Sequence, residues 1–177
     1  GIGRTVLEWV IYLVVLFGLC YFIIHFVGQR TEVYGSSMEP HLQDGDNLIV
    51  DKMSYRFRDT KRYEIIVFPF DYEEVIYYIK RIIGLPGETI QIIDGYVYID
   101  GELLESEVYG AEVMSSSGIA AQTIVLGEDE YFVLGDNRNH SMDSRSSEVG
   151  VLSRDDLVGR AGMRIYPFNK IGAIDHE

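Results

Sequence analysis

The sequence predicts a mainly β domain, an antiparallel β-sandwich or partly open barrel, carried on one N-terminal transmembrane helix. Three observations predict it. An apolar run of 20 residues, Trp9 to Gly28, opens the chain. Beyond it there is no long 3.6-residue periodicity, only short β-branched and aromatic runs between turn signals. The charge divides at the same place. Residues 1–29 hold one basic residue, Arg4, and one acidic residue, Glu8, so the whole net charge of −13 belongs to residues 30–177. The expected organisation is an anchor over 1–29 and a β-rich domain over 30–177, with a small insertion around 101–128.

A 20-residue helix spans roughly 30 Å, the hydrocarbon thickness of a bilayer. A cleaved leader would have a shorter apolar region and a small-residue exit. This run instead ends Phe26-Val27-Gly28-Gln29-Arg30. Arg4 and Arg30 flank it, so the charges leave its orientation undecided. The lone cysteine, Cys20, lies inside the run, which leaves no intramolecular disulfide and no cysteine-rich zinc site.

Strands are expected at Asn47–Met53, Ile65–Phe68 ahead of Pro69, Val75–Ile83, Thr89–Ile93, Tyr96–Ile99, Glu130–Leu134 and Leu157–Ile165. Asp94-Gly95 is the strongest hairpin signal, and Asp100-Gly101 marks a second tight turn. Ser115-Ser116-Ser117-Gly118 reads as a loop tip within the insertion. Phe68-Pro69-Phe70 and Tyr72 form a candidate apolar hairpin tip for lipid contact.

Chemistry begins with Gly35-Ser36-Ser37-Met38-Glu39-Pro40. Ser37 is ten residues beyond Val27, at most about 33–36 Å of extended chain, and so works near the membrane surface. A serine in such a loop is by itself an ordinary turn former, and a hydroxyl needs a base to become a nucleophile. His140, in Asn139-His140-Ser141-Met142-Asp143, and His41 are the histidines within the domain that lie near it in sequence or composition. The other route is a lysine made neutral by burial. In Ile76-Tyr77-Tyr78-Ile79-Lys80-Arg81-Ile82-Ile83, alternation sets Lys80 on one face with Ile76, Tyr78 and Ile82, and sends Arg81 the other way, to water or a carboxylate. Lys52 is a rival at its strand's end, where it can snorkel. Lys61 and Lys170 lie in polar or irregular stretches.

Four blocks, in order, resemble the type I signal peptidases, membrane-bound Ser-Lys endopeptidases. They are Gly35–Pro40 with Leu42 and Gly45-Asp46, Arg62–Phe68, Tyr78–Glu88, and Gly135–Arg145. The resemblance implies that Ser37 is the nucleophile and Lys80 its general base. It further implies that Ser141 orients the lysine amine, that Asp143 and Arg145 form an ion pair, and that Asp136 can pair with that arginine. Gly35 stands where some members carry an oxyanion-hole serine, which leaves the Ser37 N–H as the main donor. Val33, Met38, Leu42, Tyr78 and Ile79 are candidate linings of shallow substrate pockets that admit small side chains. The resemblance implies a single-pass protein of the plasma membrane with its catalytic domain outside the cytoplasm. The partners expected are preprotein signal peptides and the lipid bilayer, the chain is expected to be a monomer, and no cofactor or metal is expected.

The acidic charge argues against nucleic acid as a partner. It also argues, with the apolar anchor, against the self-cleaving repressors that share Ser-Lys chemistry. A non-catalytic anchored β-domain that scaffolds partners is the alternative of a different class, and it makes Ser37 and Lys80 dispensable.

Overall fold

The structure, a computed structural model, describes residues 1–71, 76–110 and 112–176. Val75 and Tyr72, which the sequence reading places in a strand and a hairpin tip, lie outside these residues. The chain opens with helix α1, Ile2–Phe22, followed by one π-helical turn, Ile23–Val27. None of the residues of α1 is buried. Its 21 residues span about 31 Å and have a mean hydropathy of 2.0, so it is long and apolar enough to cross a bilayer. A helix that is apolar all round needs an apolar environment on every side, and the protein supplies none.

Twelve strands follow among the described residues. They are β1 Gly28–Glu32, β2 Asn47–Asp51, β3 Ile65–Asp71, β4 Ile76–Gly84, β5 Thr89–Ile93, β6 Tyr96–Ile99, β7 Glu102–Leu103, β8 Ile124–Val125, β9 Glu130–Leu134, β10 Leu152–Ser153, β11 Gly159–Tyr166 and β12 Gly172–Ala173. A single helical turn, α2, occupies Ser54–Phe57. The strands form two sheets. The larger runs β1-β2-β11-β3-β4-β9-β10 with β12 beside β11, and the smaller runs β7-β6-β5-β8. The recorded pairings are antiparallel. Ile83, Ile90, Ile92, Leu126, Phe132 and Leu134 form a core that joins the two sheets. A second core, around Leu48, Val50, Ile65, Val67 and Ile79, lies under the loop that follows β1.

The tight turns match their sequence signals. Asp94-Gly95 and Asp100-Gly101 all have positive φ, the type I′ geometry that Asp-Gly favours between twisted strands. Two local expectations differ. Strand β3 continues through Pro69 to Asp71 rather than stopping before it. Its pairing with β11 ends at Val67, so the proline is asked for no bond on that side, and the pairing with β4 becomes irregular there. Strand pairing also starts at Gly28, inside the stretch read as anchor, because Gly28 and Gln29 pair with Asp51 and Val50. The 101–128 insertion supplies β7 and β8 to the smaller sheet. Its serine tip is docked, since the Ser115 N–H and hydroxyl both donate to Asn139 Oδ1, at 2.8 and 2.9 Å.

The register has one consequence for the site. Gly28 pairs with Asp51, Asp51 with Arg160, Arg160 with Ile66, and Ile66 with Lys80. Lys80 therefore lies in the same cross-strand row as the residue at which the chain leaves its N-terminal helix. Four strand spacings separate them, about 19 Å.

This row tolerates no added bulk at Gly159. A Cβ there would press on the Asp51 carbonyl and approach Val50 Cγ1 to 2.9 Å. Gly159→Ala is expected to lower unfolding stability by about 1–3 kcal/mol, read by urea denaturation of the full chain in detergent. Parent-like stability would contradict the close passage of β2 and β11.

Candidate active site

Ser37 sits on the loop between β1 and β2, and the loop is closed at its base. The Val33 N–H donates to Asp46 O and the Gly45 N–H to Val33 O, both at 2.8 Å. Gly35, at φ +80°, turns the chain where a side chain would be strained, and its N–H donates to Asp44 Oδ1 at 2.7 Å. Met38 and Leu42 are pinned in the core, each 1% exposed. Asn137 clamps the loop from the far side. Its backbone N–H donates to Ser37 O at 3.0 Å and its side-chain amide to Ser36 O at 3.1 Å. Gly135 allows this approach, because a Cβ there would lie 2.5 Å from Ser37 O and press on Ser141 Oγ.

Lys80 comes from the middle of β4, between β3 and β9. It is 3% exposed, and its Nζ lies 2.8 Å from Ser37 Oγ. Nζ also donates to Ile79 O at 3.0 Å and lies 4.9 Å from the centre of the Tyr78 ring. Burial pushes its pKa down to about 8, against an opposing pull from the Asp143 and Asp136 carboxylates. At pH 7 about one Lys80 in ten is then neutral, where an unshifted lysine would have fewer than one in a thousand.

The other candidate bases contact other groups, although His140 lines the same cleft. His140 Nδ1 lies 3.2 Å from Asn137 Oδ1, and His41 Nδ1 lies 2.9 Å from Asp136 Oδ2. Lys52 reaches Gln29 and Lys170 reaches Gln43.

The carboxylates around the lysine each have an arginine. Asp143 and Arg145 form a two-pronged pair, with both contacts at 2.9 Å, and Asp143 Oδ2 also accepts the Gly135 N–H at 3.0 Å. Asp136 does not pair with Arg145, as the resemblance implied. It pairs with Arg81, at 2.8 and 2.7 Å, and both side chains are fully buried. Alternation along β4 explains the correction. Arg81 leaves the strand opposite Lys80, and its register partner is Leu134, two residues before Asp136. Burial raises the Asp136 carboxyl pKa, but the hydrogen bonds from Arg81 and His41 outweigh it and hold the group below the usual carboxylate range. The Arg81 guanidinium is covered on one face by Tyr109, 3.8 Å from the ring centre.

Two more expectations differ. Ser141 Oγ is buried with no hydrogen-bond partner, so the bond that would orient the Lys80 amine is not formed, and the amine donates to Ile79 O instead. The Ser141 hydroxyl lies against Gly135. Leu42 lines no part of the cleft at Ser37, because its side chain packs into the core with Leu48, Val50 and Ile65. Val33, Met38, Tyr78 and Ile79 do line that cleft, a cavity of about 250 Å³ that holds Ser37 and Lys80. Among the described residues no group of three or more His, Cys, Asp and Glu is placed to hold a metal.

The sequence reading overlooked Asn137 and Tyr109. Asn137 stands in Gly135-Asp136-Asn137, and Tyr109 in the 101–128 insertion. Nothing local in the sequence shows that either reaches the site.

Comparisons with known proteins identify the family. The family model described as signal peptidase, peptidase S26, matches residues 6–166. The chain is 40% identical to a probable signal peptidase I-2 of Synechocystis sp., over 86% of this chain and 69% of that protein. It is 35% identical to signal peptidase I T of Bacillus subtilis, over 95% and 89%. A crystal structure of a signal peptidase I from Enterococcus faecalis V583 matches with 33% identity and a TM-score of 0.48, over 58% of this chain and 97% of that one. With its family model covering nearly the whole chain and relatives this similar, the chain belongs to the signal peptidase family, peptidase S26.

Proposed function

We propose that the chain is a single-pass protein of the plasma membrane. Residues 1–29 are its anchor, and the β-rich domain from about residue 30, outside the cytoplasm, cleaves signal peptides from secreted preproteins with Ser37 and Lys80. The observation that carries the reading is the 2.8 Å contact between Lys80 Nζ and Ser37 Oγ, made by a lysine that burial brings to a pKa of about 8.

In this mechanism the neutral Lys80 amine accepts the Ser37 proton as Oγ attacks the scissile carbonyl. The Ser37 N–H, at the mouth of the loop, stabilises the oxyanion. The resulting ammonium returns the proton to the leaving amine. The neutral amine then activates water against the acyl-enzyme, which frees Ser37. No step needs a metal or cofactor. Val33, Met38, Tyr78 and Ile79 give the cleft an apolar lining suited to small residues beside the cut. A signal peptide's apolar segment lies in the bilayer, and its cleavage site emerges beside a serine–lysine pair whose lysine shares a strand row with the anchor's exit.

Ser37→Ala is expected to abolish cleavage of a preprotein with an Ala-x-Ala site, and Lys80→Ala to lower kcat by about 10²–10⁴-fold. Parent-like cleavage by both variants would show that Ser37 and Lys80 are not the catalytic pair. Because the base must be neutral, protonation below its pKa removes it. The rate should therefore fall about tenfold per pH unit below 7 and level off above about 8.5. A rate unchanged down to pH 4 would exclude a lysine base. Gly135→Ala should displace the Ser36-Ser37 carbonyls and cost about 10²-fold in kcat, with a Tm scan confirming that the fold persists. An unchanged kcat would show that this close approach does not position the nucleophile.

A further inference from the structure

Residues 52–62 stand apart from the rest of this acidic chain. They hold five of its 15 lysines and arginines (Lys52, Arg56, Arg58, Lys61 and Arg62) and one acid, Asp59. Two of the five are committed within the domain, Arg58 to Glu64 and Arg62 to Glu88. Lys52 has a long contact to a neutral amide, Gln29 Oε1, at 3.5 Å. Among the described residues no carboxylate pairs with Arg56 or Lys61, and both are exposed. Between them Phe57 is 80% exposed, as bare as the residues of α1.

The register fixes where this segment lies. Strand β1 leaves the N-terminal helix at Gly28, and β2 runs back against it to end opposite that residue, at Asp51. The Lys52 N–H then donates to Val27 O at 3.1 Å. The other end of the segment lies across the row, since the Tyr63 N–H donates to Ile82 O and the Ile82 N–H to Glu64 O, so only Lys52 and the α2 turn after it, with Arg56 and Phe57, follow directly on the residue bonded to the end of the helix. If α1 spans a bilayer, this is the level of the lipid headgroups.

We propose that Lys52, Arg56 and Phe57 form a foot that binds the surface of a membrane rich in anionic lipid. The cations meet headgroup phosphates, and the Phe57 ring lies at the boundary with the acyl chains. The occupant follows from charge and place: two cations without carboxylate partners among the described residues and an uncovered aromatic ring, next to the membrane span, in a domain that is otherwise acidic. The foot would hold the β domain at a fixed height and tilt, and so keep Ser37 and Lys80 near the surface where cleavage sites emerge. The proposal rests on the membrane-spanning reading of α1.

The test uses the full chain in phosphatidylcholine vesicles, with and without phosphatidylglycerol. Trp9 is the only tryptophan, so its quenching by acyl-chain-labelled lipid reports the span independently. Phe57→Trp adds a second signal, read with headgroup-labelled lipid. Each cation at an anionic surface is worth about fivefold in surface partition. Quenching at position 57 should therefore be strong only with phosphatidylglycerol, and should be lost near 1 M salt, where the screening length falls to about 3 Å. Adding Lys52→Glu and Arg56→Glu should abolish it while cleavage of a soluble peptide stays unchanged. Equal quenching with and without phosphatidylglycerol, or quenching that survives both charge reversals, would overturn the proposal. Loss of Trp9 quenching would instead overturn the membrane span itself.

Discussion

Desolvation of one amine is the constraint on which the rest of this structure depends. Lys80 is carried into the protein by the central strand β4 and is 3% exposed. Water cannot stabilise its charge there, and its pKa falls to about 8. Two buried carboxylates, Asp143 and Asp136, pull in the opposite direction. Each is held by its own guanidinium, Arg145 and Arg81 respectively. An unpaired carboxylate at either position would favour the ammonium and undo what burial achieves. The ion pairs around the site thus have an electrostatic consequence beyond holding the loop. They let two acids lie near a lysine without keeping it charged.

Position depends on the same strands. Ser37 is on a loop, where a nucleophile would ordinarily be mobile. Met38 and Leu42 anchor that loop from below, and Asn137 holds its carbonyls from the segment that follows β9. That segment also contains Asp136, Asp143 and Arg145. The loop that presents the hydroxyl and the loop that governs the lysine's electrostatics are therefore bonded to each other, and Gly135 is the point at which they pass. The cross-strand row from Gly28 to Lys80 ties this assembly to the end of the N-terminal helix.

Much of this was legible in the sequence because it rests on local patterns. The apolar run, the alternation that separates Lys80 from Arg81, and the two Asp-Gly turns are properties of neighbouring residues. Long-range partnership was less legible. Asp136 and Arg145 lie in one signature block, so the resemblance joined them, but the register of β4 against β9 gives Asp136 to Arg81 instead. Leu42 is apolar and close to Ser37 in sequence, yet it faces the core rather than the cleft. The hydroxyl of Ser141 is turned against Gly135, without the bond to Lys80 that its place in the block implied. Two-residue strands such as β7, β8, β10 and β12 carry too few residues to show a period.

The most direct measurement of this account is the titration of Lys80 itself, followed at its Nζ by nitrogen-15 NMR in the full chain held in detergent. A midpoint near 8 is predicted, where burial outweighs the two carboxylates. A midpoint at or above the 10.5 of an ordinary lysine would show that the amine stays charged at neutral pH and does not serve Ser37 as a base.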